Sequence, residues 1–240
     1  NGSFLFSDWM LAVIVTPTYN EKANIKKLIP KIFAQKIPGV TFKLIVVDDN
    51  SPDGTAKEAK KFKNVQVISR PAKLGLGSAY VTGFGEAIKQ KADVIFSMDA
   101  DLSHNFEYAK DFIEQIKKGF DVVIGSRNVP GGGTNWPISR KFISRGASFL
   151  AQVILGVPAK DLTSGYRCYK ARILKKALNR EFKSTSYSFL EELIYYCHLE
   201  KAKITEIPIF FKDRTVGQSK LRKMEIVKFP FTLLRLRLSK

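Results

Sequence analysis

Short, continuous, β-branched apolar runs alternate along the chain with longer stretches whose apolar positions recur at helical spacing. Residues 11–16 form the first run. They are followed by Pro17 and then by Ile25, Leu28, Ile29, Ile32 and Phe33, which predicts strand, loop, helix. Residues 42–47 repeat the run and end in a turn-rich loop, where Asp53 is placed to cap a helix reaching Phe62. Further strands are predicted at 65–68, 93–98 and 121–124, with helices at 77–90 and 105–118. Strands apolar on both faces and separated by helices predict an α/β fold around a buried, mostly parallel sheet. The second half loses this rhythm. Amphipathic stretches at 138–155, 172–178 and 189–199 precede a strand at 204–211, and all are expected to pack over one edge and the top of the sheet.

Nothing divides the 240 residues into halves: no repeat of fixed period and no long Pro/Gly/Ser-rich stretch separates them, so a single domain over 11–219 is expected. Residues 1–10, which lack a basic start, read as a remnant or extension outside it, and 220–240 as a separate basic segment. With 45% hydrophobic residues the chain has material for a core, which excludes a disordered protein. No apolar run is long enough to span a bilayer. The two cysteines, Cys168 and Cys197, neither make a disulfide framework nor complete a zinc site, and point to a reducing compartment.

Charge sharpens the picture. The net charge of +18 is distributed as +5 over residues 1–100 and +13 over 101–240. Residues 214–240 carry 8 basic groups and one acid, interleaved with Phe229, Phe231, Leu233, Leu234, Leu236 and Leu238. That composition fits a helix lying on an anionic membrane, and peripheral attachment through 221–238 is expected. A nucleic-acid-binding module would also be basic, but no reader motif is present.

In an open parallel sheet, ligands bind beyond the carboxyl ends of the strands. Polar residues follow three apolar runs directly: Pro17-Thr-Tyr-Asn-Glu21, Asp48-Asp49 and Asp99-Ala-Asp101. The first of these loops has no glycine, and Gly75-Leu-Gly77 is followed by Tyr80 where a third glycine is needed, so a dinucleotide fold is disfavoured. A P-loop is absent. Asp99 and Asp101, one residue apart at a strand end, can aim two carboxylates at one Mg²⁺ or Mn²⁺, or they can cap the helix that follows.

Those loops stand in order with Val47-Asp-Asp-Asn-Ser-Pro-Asp-Gly-Thr55, Met98-Asp-Ala-Asp-Leu-Ser-His104, Gly125-Ser-Arg127, Ser144-Arg-Gly-Ala147, Asp161-Leu-Thr-Ser-Gly-Tyr-Arg167 and Asp213-Arg-Thr-Val-Gly-Gln-Ser-Lys220. In that combination the chain resembles a family 2 glycosyltransferase of the dolichol-phosphate mannose synthase group, from about residue 11 to 229. The resemblance implies a GT-A nucleotide-diphospho-sugar transferase fold, with a mostly parallel Rossmann-like sheet. The implied reaction is inverting transfer of mannose from GDP-mannose to dolichyl or another polyprenyl phosphate, with Mg²⁺ or Mn²⁺.

By that resemblance Pro17, Tyr19, Glu21, Val47 and Asp49 hold the guanosine, with Asp48 orienting its loop. Asp99, Ala100 and Asp101 bind metal and diphosphate, and Ser103 stands where relatives place a further metal ligand. Arg127, Arg140 and Ser144 take the acceptor phosphate; Gly131-Gly132-Gly133, before the helix of Arg140 and Ser144, reads as a mobile linker or a plain turn. Arg214 and Lys220 close over the donor diphosphate. Glu192 aligns with an acid near the sugar, and Asp161, Ser164 and Arg167 form a structural network. The partners implied are a membrane surface, at its cytoplasmic face, and membrane-anchoring subunits. Other readings remain open: the same chemistry with UDP-glucose, or transfer to a hydroxyl with Glu191 or Glu192 as base.

Overall fold

The first apolar run becomes β1 (Met10–Thr18), paired in parallel with β2 (Val40–Asp48) on one side and β4 (Val94–Ser97) on the other. β3 (Val65–Ser69) lies outside β2. Beyond β4 come β7 (Arg167–Lys170), β5 (Val122–Ser126) and β8 (Ile204–Pro208), so the sheet is ordered β3-β2-β1-β4-β7-β5-β8. β7 runs antiparallel to both neighbours, and the other pairings in this sheet are parallel. A small parallel ribbon joins β6 (Gly133–Thr134) to β9 (Phe210–Phe211). This computed structural model describes residues 9–184, 188–213 and 223–238, with side chains in the last stretch from Phe229 onward.

Strand alternation builds a core on each face. From β1, Ala12 and Ile14 face α1 (Lys22–Ala34), α2 (Thr55–Ala59) and α4 (Ala109–Lys117). Val13 and Val15 face the opposite layer, made of α3 (Leu76–Lys89), α5 (Ile138–Leu155), α6 (Ala171–Leu178), α7 (Phe189–Leu199) and α8 (Lys223–Leu238). Continuous apolar strands are what a sheet covered on both sides requires.

Three expectations need correction. The second-half helices do not cap an edge and the top of the sheet; they share the face of α3, because β7 inserts between β4 and β5 and carries the chain back across the sheet. The strand expected over 204–211 is two, β8 and β9 in different sheets, separated at Ile209, whose N–H donates to the Ser126 carbonyl. The helix expected to reach Phe62 stops at Ala59, and its N-cap is Gly54 in place of the expected Asp53, which stands one residue earlier with Oδ1 accepting from the Thr55 N–H and hydroxyl.

Candidate active site

The carboxyl ends of β1, β2 and β4 lie side by side, and the three polar loops emerge there. Pro17 stands opposite Val47 in register and Thr18 opposite Asp48. Asp48 is buried and spent on the fold, accepting from the Thr18 hydroxyl at 2.9 Å and from the Ser51 N–H and hydroxyl. Asp49 is buried against Arg70, which was not anticipated: the guanidinium pairs with its carboxylate, and also donates to the Ser78 hydroxyl and the Gly75 carbonyl. The Lys73 ammonium lies 4.7 Å from the Tyr19 ring centroid. Glu21 accepts from the Asn24 amide and its N–H donates to Thr55, which fastens the first loop to the second.

Each of the three loops holds one non-glycine residue at positive φ: Asn20 at 58°, Asn50 at 57° and Leu102 at 63°. Asparagine tolerates that conformation, whereas leucine pays steric strain of about 1–2 kcal/mol. The bend at Leu102 turns Ser103 back on Asp101, whose Oδ1 accepts from the Ser103 N–H at 3.0 Å and from its hydroxyl at 2.5 Å. Ser103, the expected further metal ligand, is buried, and its donation to Asp101 orients that carboxylate. Asp99 reaches outward, its side chain 34% exposed, with the Tyr80 hydroxyl 3.4 Å from Oδ1. Burial, then the Asp99 charge, pushes the Tyr80 phenol well up, so it stays a donor.

On the same edge of the sheet, past the carboxyl end of β5, a cleft of about 230 Å³ opens beside α5, lined by Arg127, Trp136, Lys141, Ser144, Arg145 and Phe210. Arg127 and Ser144 both line it. The Arg127 guanidinium grips Asp161 through two donors and Thr163 through a third contact, so most of its donors serve the fold. Burial most strongly opposes the Asp161 charge, but the Arg127 cation and its hydrogen bonds outweigh it and hold the carboxyl below the usual range. Arg140 does not line the cleft. It lies 4.0 Å from the Trp136 ring centroid and pairs with Asp213 at 3.0 Å. The cleft's remaining cations are Lys141 and Arg145, which share the Ser144 side of the helix at i, i+3 and i, i+4 spacing; that spacing would have identified them. Gly131-Gly132-Gly133 is no free linker. A Cβ on Gly132 would meet the Ser126 carbonyl at 2.4 Å, and Gly133, in β6, pairs with Phe210 of β9. Arg214 and Lys220 lie outside the described residues.

Glu192 is consumed by the fold, accepting from the Lys183 and Ser184 N–H groups and from the Tyr196 hydroxyl. Glu191 is buried, and its Oε2 has no hydrogen-bond partner among the described residues. Burial pushes its carboxyl up to about 7, against the pull of Arg167. The folded state therefore holds a proton there that the unfolded chain has released above its ordinary value of 4.5, and stability falls as pH rises toward 7. Glu191→Gln removes that dependence. Its stability relative to the parent should rise by up to about 3 kcal/mol between pH 5 and pH 8, read by urea denaturation.

Among the described residues no helix is long and apolar enough to cross a membrane, and no group of three His, Cys, Asp or Glu is placed to hold a metal by itself. Residues 13–178 match the family described as Glycosyl transferase family 2. The chain is 35% identical over 215 residues to a polyprenol monophosphomannose synthase of Mycolicibacterium smegmatis, covering 87% of this chain and 80% of that protein. It is 36% identical over 217 residues to an undecaprenyl-phosphate mannosyltransferase of Micrococcus luteus, covering 88% of each. Glucosyl-3-phosphoglycerate synthase of Mycobacterium tuberculosis, solved with UDP, superposes with a TM-score of 0.68 at 18% identity over 96% of this chain and 79% of that one. The same enzyme solved with Mn²⁺, UDP-glucose and glycerol 3-phosphate gives 0.67 at 18% identity, again over 96% and 79%. These two share the fold. The paired strand-end loops and the inserted antiparallel β7 are thus the GT-A arrangement, and the chain is a member of glycosyltransferase family 2.

Proposed function

We propose that this protein transfers mannose from GDP-mannose to a polyprenyl phosphate such as dolichyl phosphate, with inversion, in a divalent-cation-dependent reaction at a membrane surface. The observation that carries the reading is the placement of a cationic cleft directly beside an exposed apolar helix face. One side of α5 packs Ser148, Ala151 and Leu155 into the core, as a surface helix needs. The same helix carries a second apolar stripe, Ile138, Phe142, Phe149 and Val153, each between 63% and 72% exposed. Lys141, Ser144 and Arg145 lie beside it and line the cleft. An acceptor with an anionic head and a long apolar tail matches both features at once. The two mannosyltransferase relatives, named for polyprenyl acceptors, point the same way.

α8 packs on α5 and extends the apolar surface with Phe231, Leu234 and Leu238, beside Arg235 and Arg237. α5 itself has Arg140, Lys141 and Arg145 and no acid. An apolar patch ringed by cations suits an anionic bilayer. Burying a phenylalanine contributes about 1.5–3 kcal/mol, so Phe142→Glu with Phe149→Glu should weaken partition onto phosphatidylglycerol vesicles by at least about 10²-fold in co-sedimentation. Unchanged partition would remove α5 from the membrane contact.

The donor set fits Mg²⁺ or Mn²⁺. Asp99 and Asp101 offer hard oxygen ligands, and Ser103 orients one of them in advance. Bound there, the ion supplies Lewis-acid stabilisation of the departing diphosphate. Arg127, Lys141, Ser144 and Arg145 would position the acceptor, whose phosphate oxygen attacks the anomeric carbon as the bond from that carbon to the diphosphate breaks. The phosphate is already anionic, so no general base is required. This agrees with a Glu192 tied to backbone and a Glu191 enclosed by the core.

Incubation of the protein with radiolabelled GDP-mannose and dolichyl phosphate, with and without EDTA, tests the reading. EDTA-sensitive glycolipid formation is expected. Transfer from UDP-glucose but not GDP-mannose would move the donor assignment and keep the acceptor, and no glycolipid from either donor would overturn the proposal.

A further inference from the structure

His104 is a chemically loaded residue that the reaction outlined above does not use. Its side chain is 1% exposed, and neither ring nitrogen has a hydrogen-bond partner among the described residues. The ring is held from two sides, with centroids 5.1 Å from Tyr166 and 5.2 Å from Phe211, the latter edge-on. Nε2 faces Asp99 Oδ2 at 3.6 Å, about half an ångström beyond an ordinary N–H···O bond. On the opposite side of the same carboxylate, the Tyr80 hydroxyl stands 3.4 Å from Oδ1, on a side chain that is fully buried and stacked between Phe84 and Phe189. Each oxygen of Asp99 therefore faces one buried donor, and both donors are fixed by aromatic packing. A buried polar group without a partner is retained against a cost, so a partner acquired in the working state is the expected compensation.

We propose that His104 and Tyr80 form a two-sided clamp on Asp99, one donor to each carboxylate oxygen, which sets the plane of the carboxylate so that its outward lone pairs meet the cation. The inference rests on Asp99 being a metal ligand. His104 is a positioning residue in this arrangement: its ring is enclosed by Tyr166 and Phe211 and acts on the cation through Asp99 alone. Ligating carboxylates commonly depend on hydrogen bonds from such outer groups, and losing one lowers metal affinity by about 10–100-fold.

Mn²⁺ binding to the intact protein, followed by electron paramagnetic resonance of free Mn²⁺ with saturating GDP or, in parallel, UDP, reads the clamp without reference to turnover. His104→Phe keeps the ring packing and removes the donor, and should raise the Mn²⁺ Kd by about 10–100-fold with no loss of thermal stability in EDTA. His104→Gln, which restores an N–H donor, should recover part of the affinity. Tyr80→Phe deletes a single hydroxyl and should weaken Mn²⁺ in the same sense, which keeps the test available if His104→Phe folds poorly. Parental Mn²⁺ affinity in both phenylalanine variants overturns the clamp while leaving the metal site standing. A glutamine variant as weak as the phenylalanine variant, with an unchanged melting transition, reduces His104 to packing and overturns it as well. No nucleotide-dependent Mn²⁺ binding by the parent protein would overturn the metal assignment and the clamp together.

Discussion

Asp101→Asn is expected to lower glycolipid formation by at least about 10²–10³-fold, the scale on which losing a preorganised charge-stabilising group slows transfer. The side chain is buried and its Oδ1 is held by the Ser103 N–H and hydroxyl, so its direction is fixed before a ligand arrives. Asparagine reproduces the shape and still offers an acceptor to Ser103, and so separates charge from folding. Stability by urea denaturation should stay within about 1 kcal/mol of the parent, because only one net hydrogen bond is altered. Asp101→Ala should lose as much activity and in addition about 1–2 kcal/mol, since it leaves both Ser103 donors unpaired in a buried loop. An asparagine variant with parental activity would end the assignment of Asp101 to the cation. Saturating Mg²⁺ should not rescue either variant, whereas it should reverse the inhibition that EDTA imposes on the parent.

Much of this site is legible in the chain because its parts sit where regular structure ends. Short β-branched apolar runs separated by helical patterns read as buried parallel strands, and their carboxyl ends deliver Pro17, Asp48 and Asp99 to one edge. The antiparallel β7 is not legible in that way. Its four residues, Arg167-Cys-Tyr-Lys170, begin and end in cations and carry no run, and they become a strand because β4 and β5 supply the ladder on both sides. Partner choice is hidden for a related reason. Arg70 reaches Asp49 across a gap of 21 residues, and Arg140 turns to Asp213 across 73, distances that local pattern does not encode. Lys141 and Arg145 were within reach, since helical spacing places them beside Ser144, but a motif that singles out Arg140 draws attention to the side of the helix that meets Trp136 and Asp213.

The largest loss of stability is expected at Arg167. It is fully buried at the first position of β7, and its guanidinium donates to three main-chain carbonyls: Ser164 at 2.7 Å, Leu190 at 2.5 Å and Leu162 at 2.5 Å. One side chain thus closes the loop that precedes β7 and ties it to the start of α7. That loop carries Gly165, on which a Cβ would stand 3.6 Å from Asp99 Oδ2 and 3.5 Å from Leu190, so the brace also supports the wall of the Asp99–Asp101 loop. Arg167→Met fills a similar volume and leaves the carbonyls without donors, a cost of about 3–5 kcal/mol against a total stability of about 5–15 kcal/mol for an ordinary domain. At about 2–4 °C per kcal/mol for a chain of this size, the melting temperature should fall by about 6–20 °C. Arg167→Lys should recover little, because one ammonium cannot span three carbonyls held by a planar fork. Glu191 supplies a further signature. Burial raises its carboxyl to about 7 while the Arg167 charge pulls it down, so removing the cation shifts it higher still. At pH 5.5 Glu191 is largely neutral with or without Arg167, but at pH 8 the parent has ionised it beside a cation that the variant lacks. The destabilisation by Arg167→Met should therefore be larger at pH 8 than at pH 5.5, and a cost independent of pH would show that Arg167 serves the three carbonyls alone.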